Sequence, residues 1–194
     1  NGNSVYAIAP NDTLRAAGEP FLTSSEKIKS LSTTAEHTSL EDNSIDFIIA
    51  AQAFHWFDKE KTRAEFKRVL KPGGYVALLW NMRDNDASVT MREYESMLAN
   101  FGIDYHSVAA ENIENSDIGK FFSPNGFHLK TFPNKQTLDW DGFLGRILST
   151  SYVPKKGQEN HDAMIDKAKL IFEENQRGDM VEMFYKTKCY VGQL

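Results

Sequence analysis

The segment Gln52-Ala53-Phe54-His55-Trp56-Phe57-Asp58 puts an imidazole, a side-chain amide and three aromatic rings into seven residues. Histidine's ordinary pKa lies near neutral pH, so His55 could take a proton from a hydroxyl or amine nucleophile. The same ring could instead hold the loop in place or orient a substrate. Phe54 and Trp56 suit the wall of a ligand pocket, since such walls are largely apolar and aromatic. Their other role is to anchor the loop to the core. A second set is Trp80, Asn81 and Arg83. The planar guanidinium of Arg83 matches a carboxylate at two points, although an ion pair with Asp84 or Asp86 is its plainer use.

Both sets follow short apolar runs. Ile45 to Ala51 is continuously apolar apart from Asp46, the pattern of a strand buried on both faces, and Tyr75 to Trp80 is another. Ser4 to Ala9 predicts a buried strand ending at Pro10-Asn11, and Lys27 to Thr34 one nearer an edge. Asn11 or Asp12 can cap a short helix through Arg15 and Ala17. Lys59 to Leu70 reads as a helix with Phe66, Val69 and Leu70 on one face, ended by Pro72-Gly73-Gly74. Strands alternating with helices predict an α/β, doubly wound sheet. Ligands bind such sheets outside the carboxyl ends of the strands. That places Ala9, Pro10 and Asn11, then Thr34, Ala35 and Glu36, then the Gln52–Asp58 loop, then Asn81 to Asp84 along one edge.

Beyond Trp80, Val89 to Phe101 predicts an amphipathic helix with Tyr94, Met97, Leu98 and Phe101 inward. Residues 104–123 carry no clear pattern. Phe127 to Leu138 reads as a bent strand or two short ones, and Trp140 to Leu148 and Gln158 to Asn175 as helices. Val181 to Val191 predicts a final strand. No long linker divides the chain, which predicts one domain, with a sheet core at 1–83, 125–138 and 179–194 and a helical cap at about 84–124 and 139–178.

The chain has 194 residues, 41% apolar and 25% charged, with 22 Lys+Arg against 27 Asp+Glu and a net charge of −5. That is enough chain for one real core. The acidic balance argues against nucleic acid, which asks for a basic face; the Lys59–Lys71 stretch reads as a solvated helix surface. A single Cys189 excludes an internal disulfide and fits a reducing, cytoplasmic setting. No apolar run approaches the ~20 residues of a membrane span. The five histidines show no ligand spacing, so no metal is expected. There is no G-x-G-x-x-G, which removes a nicotinamide dehydrogenase from consideration.

AQAFHWFD, a helix, and then EFKRVLKPGGYVALLWN together resemble the middle of a class I S-adenosylmethionine-dependent methyltransferase, closest to the small-molecule type 11 group. VYAIAPNDTLRAAGE resembles that family's second strand and following helix, and STTAEHTSL its third strand and adenine-side loop. STSYVPKKG and FYKTKCYVGQL are similar to a subgroup's C-terminal half. The resemblance implies a Rossmann-like sheet, mostly parallel with an antiparallel C-terminal strand, and a helical cap that selects the acceptor. It implies in-line attack by an acceptor O, N or C on the sulfonium methyl, with a small-molecule acceptor, no membrane partner, and a monomer or homodimer. Ala9, Pro10, Asn11, Ala35, Glu36, Ala51, Gln52 and Ala53 are then the expected cofactor contacts, with Glu36 accepting from the adenine amino group or facing solvent. Phe54, Trp56, Trp80, Asn81, Arg83 and Tyr152 are the expected acceptor-side residues, and His55 the catalytic one.

Two departures are informative. The family's glycine-rich loop, with its strand and helix, belongs ahead of Ser4 and does not occur in these residues. A fragment of a longer chain, seven-stranded when complete, is therefore expected. The family's Asp or Glu at the end of the second strand is Ala9 here. Two acceptors to the ribose diol are lost, each worth roughly 1.5–3 kcal/mol, and Asn11 or Asp12 would replace them in part. The rival readings are a methyltransferase-like domain that binds a ligand or partner without turnover, and an enzyme acting on tRNA, against which the charge speaks.

Overall fold

The computed structural model describes residues 2–22, 26–103 and 115–194; part of the unpatterned stretch, residues 104–114, lies outside the described residues. Six strands and six α-helices are described. They are β1 (Val5–Ile8), α1 (Asp12–Leu22), β2 (Ile28–Leu31), β3 (Ile45–Ala51), α2 (Lys59–Val69), β4 (Leu70–Arg83), α3 (Val89–Phe101), α4 (Asn115–Phe121), β5 (His128–Leu138), α5 (Trp140–Leu148), α6 (His161–Asn175) and β6 (Val181–Gly192). A single 3-10 turn, Phe54–Trp56, follows β3. β1 and β2 form a parallel pair with Val5 opposite Ile28 and Ile8 opposite Leu31, and the other strands a four-stranded sheet in the order β3-β4-β6-β5.

The chain gathers into two compact units. One holds Asn1–Leu78, Asn115–His128 and Tyr190–Leu194, and the other Leu79–Glu114 and Leu129–Cys189. The boundary falls inside β4, five residues ahead of where the cap was expected to begin.

Side-chain caps fix several helix starts. Asn11 Oδ1 accepts from the Leu14 amide at 3.0 Å, and Asp58 Oδ1 from Lys61 at 3.1 Å. Ser88 Oγ accepts from Met91 at 3.1 Å, and Asp139 Oδ1 from Gly142 at 2.8 Å. Each satisfies one of the four amides a helix start leaves unpaired. α1 runs further than expected, through Pro20 to Leu22. β4 is longer too: it starts at Leu70 and absorbs Pro72-Gly73-Gly74 rather than beginning at Tyr75. β5 is one continuous strand through Pro133.

The first unit packs Phe54, Phe66, Val69, Leu70, Val76, Leu78, Phe121 and Phe122 inward. Phe121 meets Phe54 edge-on at 4.8 Å and Phe66 at 6.2 Å. In the second unit, Met91, Tyr94, Met97 and Leu98 of α3 pack with Phe143 and Ile147 of α5 and Met164, Ala168, Ile171 and Phe172 of α6. Of the face read from the spacing of α3, Tyr94, Met97 and Leu98 are buried and Phe101 packs partly buried against them, joined by Thr90 and Met91.

Two strand expectations need correction. β3 is not buried on both faces: Phe47 is 47% and Ile49 61% exposed. Among the described residues it is the end strand of its sheet, and the face carrying those two side chains is open. β1 likewise leaves Val5 and Tyr6 exposed, because its sheet has only two strands. An apolar run reports composition; whether a second layer covers it is decided by the rest of the fold.

Close approach fixes one glycine. A Cβ on Gly192 would sit 2.6 Å from the Gly126 carbonyl oxygen and 2.7 Å from Phe122 Cδ1. Backbone cannot yield that distance cheaply. Gly192→Ala is expected to destabilise the first unit by about 1–3 kcal/mol, as overpacking does, read as a lowered urea midpoint with unchanged m-value.

Candidate active site

Each site residue is placed within its own unit. In the first, the carboxyl ends of β1 and β3 carry the informative residues. Ala51 and Gln52 are exposed, and Gln52 holds φ at 53°, the left-handed region that side chains with a Cβ adopt sparingly. Such backbone outliers persist where their surroundings impose them, often at ligand sites. The 3-10 turn then closes through the Trp56 amide to Ala53 oxygen at 2.9 Å and the Phe57 amide to Phe54 oxygen at 3.2 Å.

Phe54 is fully buried and packs edge-on against Phe57 at 6.1 Å and Phe121 at 4.8 Å. Of its two foreseen roles it takes the anchoring one. Successive residues of a 3-10 turn are about 120° apart, so pinning Phe54 inward turns the next two outward. Trp56 is 80% exposed, its ring 4.8 Å from that of His55. Loss of solvation, and after it the charge of Lys59, lowers the His55 pKa below its ordinary value. His55 is therefore neutral at pH 7, the form a general base requires.

Glu36 and Asn11 spend their side-chain oxygens locally. Glu36 Oε1 accepts from the Asp58 amide at 2.9 Å and faces the Thr62 hydroxyl at 3.4 Å. Burial works to raise its pKa, but the hydrogen bonds it accepts, led by that of Asp58, outweigh burial and hold it below the ordinary carboxylate value. Its observed work is to tie the Ala35-Glu36 loop to the start of α2. Asn11 Oδ1 is taken by the α1 cap. Asp12 differs. Its carboxylate contacts Arg15 at 2.8 Å and Ser32 Oγ at 3.4 Å, yet its side chain stays 82% exposed. It borders an open cleft of about 640 Å³ lined also by Arg15, Ala16, Glu19, Ser30 and Ser32. A 320 Å³ recess around Lys67, Lys71, Pro72 and Gln193 lies at the start of β4, away from the carboxyl ends of the strands.

Trp80, Asn81, Arg83 and Tyr152 belong to the second unit. Trp80 is buried. Asn81 Oδ1 accepts from Thr187 Oγ1 and from Asn134 Nδ2 at 3.0 Å, a polar ladder across strands. Arg83 and Tyr152, far apart in sequence, meet: Arg83 Nη1 donates to Tyr152 Oη at 3.1 Å. The ion-pair partner of Arg83 is Glu95 at 3.3 Å, not Asp84 or Asp86; Asp84 pairs instead with Lys186 at 2.9 Å. The Arg83 guanidinium also stands 5.8 Å from the Tyr94 ring centroid. Tyr94, Arg146 and Tyr185 join this cluster; the sequence reads Tyr94 only as an inward helix residue and Tyr185 only as part of FYKTKCYVGQL, and neither reading predicts these contacts.

Among the described residues no group of three or more His, Cys, Asp or Glu side chains converges as a metal site, and no helix is long and apolar enough to cross a membrane.

Comparison with known proteins agrees with the architecture. Residues 1–78 match the family model described as a methyltransferase domain. An uncharacterized methyltransferase-like protein of Schizosaccharomyces pombe is 28% identical over 157 residues, which is 78% of this chain and 59% of that protein. An uncharacterized methyltransferase of Mycobacterium bovis is 51% identical over 51 residues, 26% of this chain and 21% of the other. The chain thus spans under two thirds of the length of these curated relatives. The solved structure of a candidate type II methyltransferase from Anaeromyxobacter dehalogenans aligns with a TM-score of 0.64 at 20% identity, covering 98% of this chain and 80% of that one. That likeness shows the fold: an α/β, Rossmann-like methyltransferase fold with mixed strand directions. The chain is thus similar to methyltransferases along most of its length, with the methyltransferase-domain model matching its first 78 residues.

Proposed function

We propose that this protein moves a methyl group from S-adenosylmethionine to a small-molecule acceptor. One observation carries the reading: Ala51, left-handed Gln52 and the outward His55 and Trp56 stand together after β3, in the segment that matches the methyltransferase domain. The chain's residues fit the cofactor in part. Ala9, Ala51 and Ala53 leave backbone approachable because their side chains end at Cβ. Asp12, with its exposed carboxylate, is the acceptor present for ribose hydroxyls, in place of Ala9 and ahead of Asn11. Pro10, Ala35 and Gln52 complete the contact set. Glu36 serves it indirectly by holding the Ala35 loop. The cofactor supplies an activated methyl on a positively charged sulfur. Trp56 offers an aromatic face of the kind that attracts cations, and His55 accepts the acceptor's proton where that atom is a hydroxyl or amine. Alignment and exclusion of water do the remainder.

Calorimetric titration with S-adenosylhomocysteine tests the reading. Micromolar binding, weakened at least tenfold by Asp12→Ala, is expected from the loss of charge-assisted hydrogen bonds. Absence of binding by the wild-type protein would favour the non-catalytic binding domain, for which Ala9 is the evidence. His55→Ala is expected to lower kcat about 10²-fold, the low end for general-base catalysis. Wild-type kcat should fall with acid only below pH 6.5, because the folded-state pKa is depressed, and the variant should lack that limb.

A further inference from the structure

Two partly buried arginines of the second unit are unequally matched. Arg83 is matched by Glu95 at 3.3 Å. Arg146, on α5, makes no ion pair with any described residue, and its guanidinium stands 5.7 Å from the Tyr185 ring centroid. Tyr185 is 2% exposed, and its hydroxyl has no hydrogen-bond partner among the described residues. A buried donor without an acceptor is costly and calls for a reason. The Tyr94 ring centroid lies 5.8 Å from the Arg83 guanidinium; burial raises its pKa to about 12, opposed by Arg83 and then Arg146, with Tyr152 and Tyr185 also acting on it. Tyr152 closes the set through its hydrogen bond from Arg83.

We propose that Arg146, Arg83 and the hydroxyls of Tyr185, Tyr152 and Tyr94 form an anion-recognition site that takes the carboxylate of a small organic acid. A carboxylate brings what the cluster lacks: one negative charge for Arg146 and an acceptor for the Tyr185 hydroxyl. Phenol and guanidinium donors in a shielded setting discriminate strongly against a neutral isostere, which would leave them unpaired. Glu95 keeps Arg83 from making the site doubly cationic and fixes its fork. Arg146 and Tyr152 are partly exposed and give the entrance, while Tyr185 and Tyr94 form the floor. As an anchor for the methyl acceptor the site rests on the methyl-transfer reading; as an anion site it stands alone.

The test uses succinate as probe, succinamide as neutral control and constant ionic strength, with ring-labelled tyrosine NMR as readout. Succinate is expected to shift the Tyr94 and Tyr185 ring signals saturably, and succinamide to leave them. Arg146→Gln should weaken succinate at least about tenfold, the loss of one charge-assisted contact. Tyr185→Phe should weaken it less and leave thermal stability unchanged or raised, since a structural hydroxyl would lower stability on removal. Equal response to succinamide, or an Arg146→Gln variant that binds succinate as the wild type does, overturns the site. Succinate binding without S-adenosylhomocysteine binding keeps the site and removes the methyl-transfer reading. S-adenosylhomocysteine binding without succinate binding does the reverse.

Discussion

Replacing Glu65 by alanine is expected to cost the first unit about 3–5 kcal/mol, because it strips a buried carboxylate from the partners that surround it. Glu65 Oε1 accepts from the Thr38 amide at 2.8 Å, the Thr38 hydroxyl at 2.6 Å and Arg68 Nη2 at 2.8 Å, and Oε2 accepts from Arg68 Nε at 2.8 Å. Arg68 also holds the Leu40 carbonyl and Asp42, so one side chain on α2 ties down the 38–42 loop. Removing the carboxylate leaves Thr38, itself 3% exposed, with an unpaired amide and a hydroxyl proton without an acceptor, although its oxygen still accepts from the Leu40 amide at 3.3 Å. The hydrogen bonds from Arg68 lead the causes that hold Glu65 at about 2, against an ordinary 4.5. A depressed carboxylate contributes stability that is complete above about pH 4.5 and is lost as the pH falls toward 2. The amount is of order 3 kcal/mol, reduced by solvent screening on the Arg68 side, which is 35% exposed. Urea midpoints measured between pH 6 and pH 3 should fall steeply for the wild type and flatten for Glu65→Gln. A wild-type slope retained in Glu65→Gln would assign the acid sensitivity to another group.

Phe54→Ala and Trp56→Ala should separate by most of their possible range although they are two residues apart. Phe54 is enclosed by Phe57 and Phe121 in the first unit's core, so its truncation leaves a cavity and costs about 3–5 kcal/mol. Trp56, mostly exposed, should change stability by less than about 0.5 kcal/mol. Its effect belongs to function: Trp56→Ala is expected to raise the KM of the acceptor or weaken S-adenosylhomocysteine while leaving the unfolding midpoint in place. Equal destabilisation by the two variants would mean that the 3-10 turn unfolds as a unit and that Trp56 has no separate role.

The candidate site on β3 could be read so far ahead because its signal is local. An aromatic, His-containing loop after an apolar run reveals itself by composition, and the strand–helix alternation puts it at a carboxyl end. Helices α3, α5 and α6 were legible for a related reason: their periodic apolar residues and capping Ser88 and Asp139 are short-range facts. The exposure of β3 was not, since Phe47 and Ile49 look the same in sequence whether or not a layer covers them.

Arg83 shows the same limit from the other side. Its type announced a capacity for carboxylates, but the sequence could only nominate the adjacent Asp84 and Asp86 as partners. Glu95 lies twelve residues on and Tyr152 sixty-nine, and both reach Arg83 only through the packing of α3 and the segment after α5. Tyr185 falls within the FYKTKCYVGQL segment and Arg146 just ahead of STSYVPKKG, yet nothing local to either predicts that the two side chains meet. The amino-acid sequence alone determined the α/β class, the resemblance to methyltransferases and the loop that carries His55, because those depend on residue type, spacing and local hydrogen bonds. Only tertiary structure decided which side chains are spent on support, as Phe54, Glu36 and Asn11 are, and which charges find no ion pair among the described residues, as on Arg146, because burial and long-range pairing are properties of what the folded chain brings together.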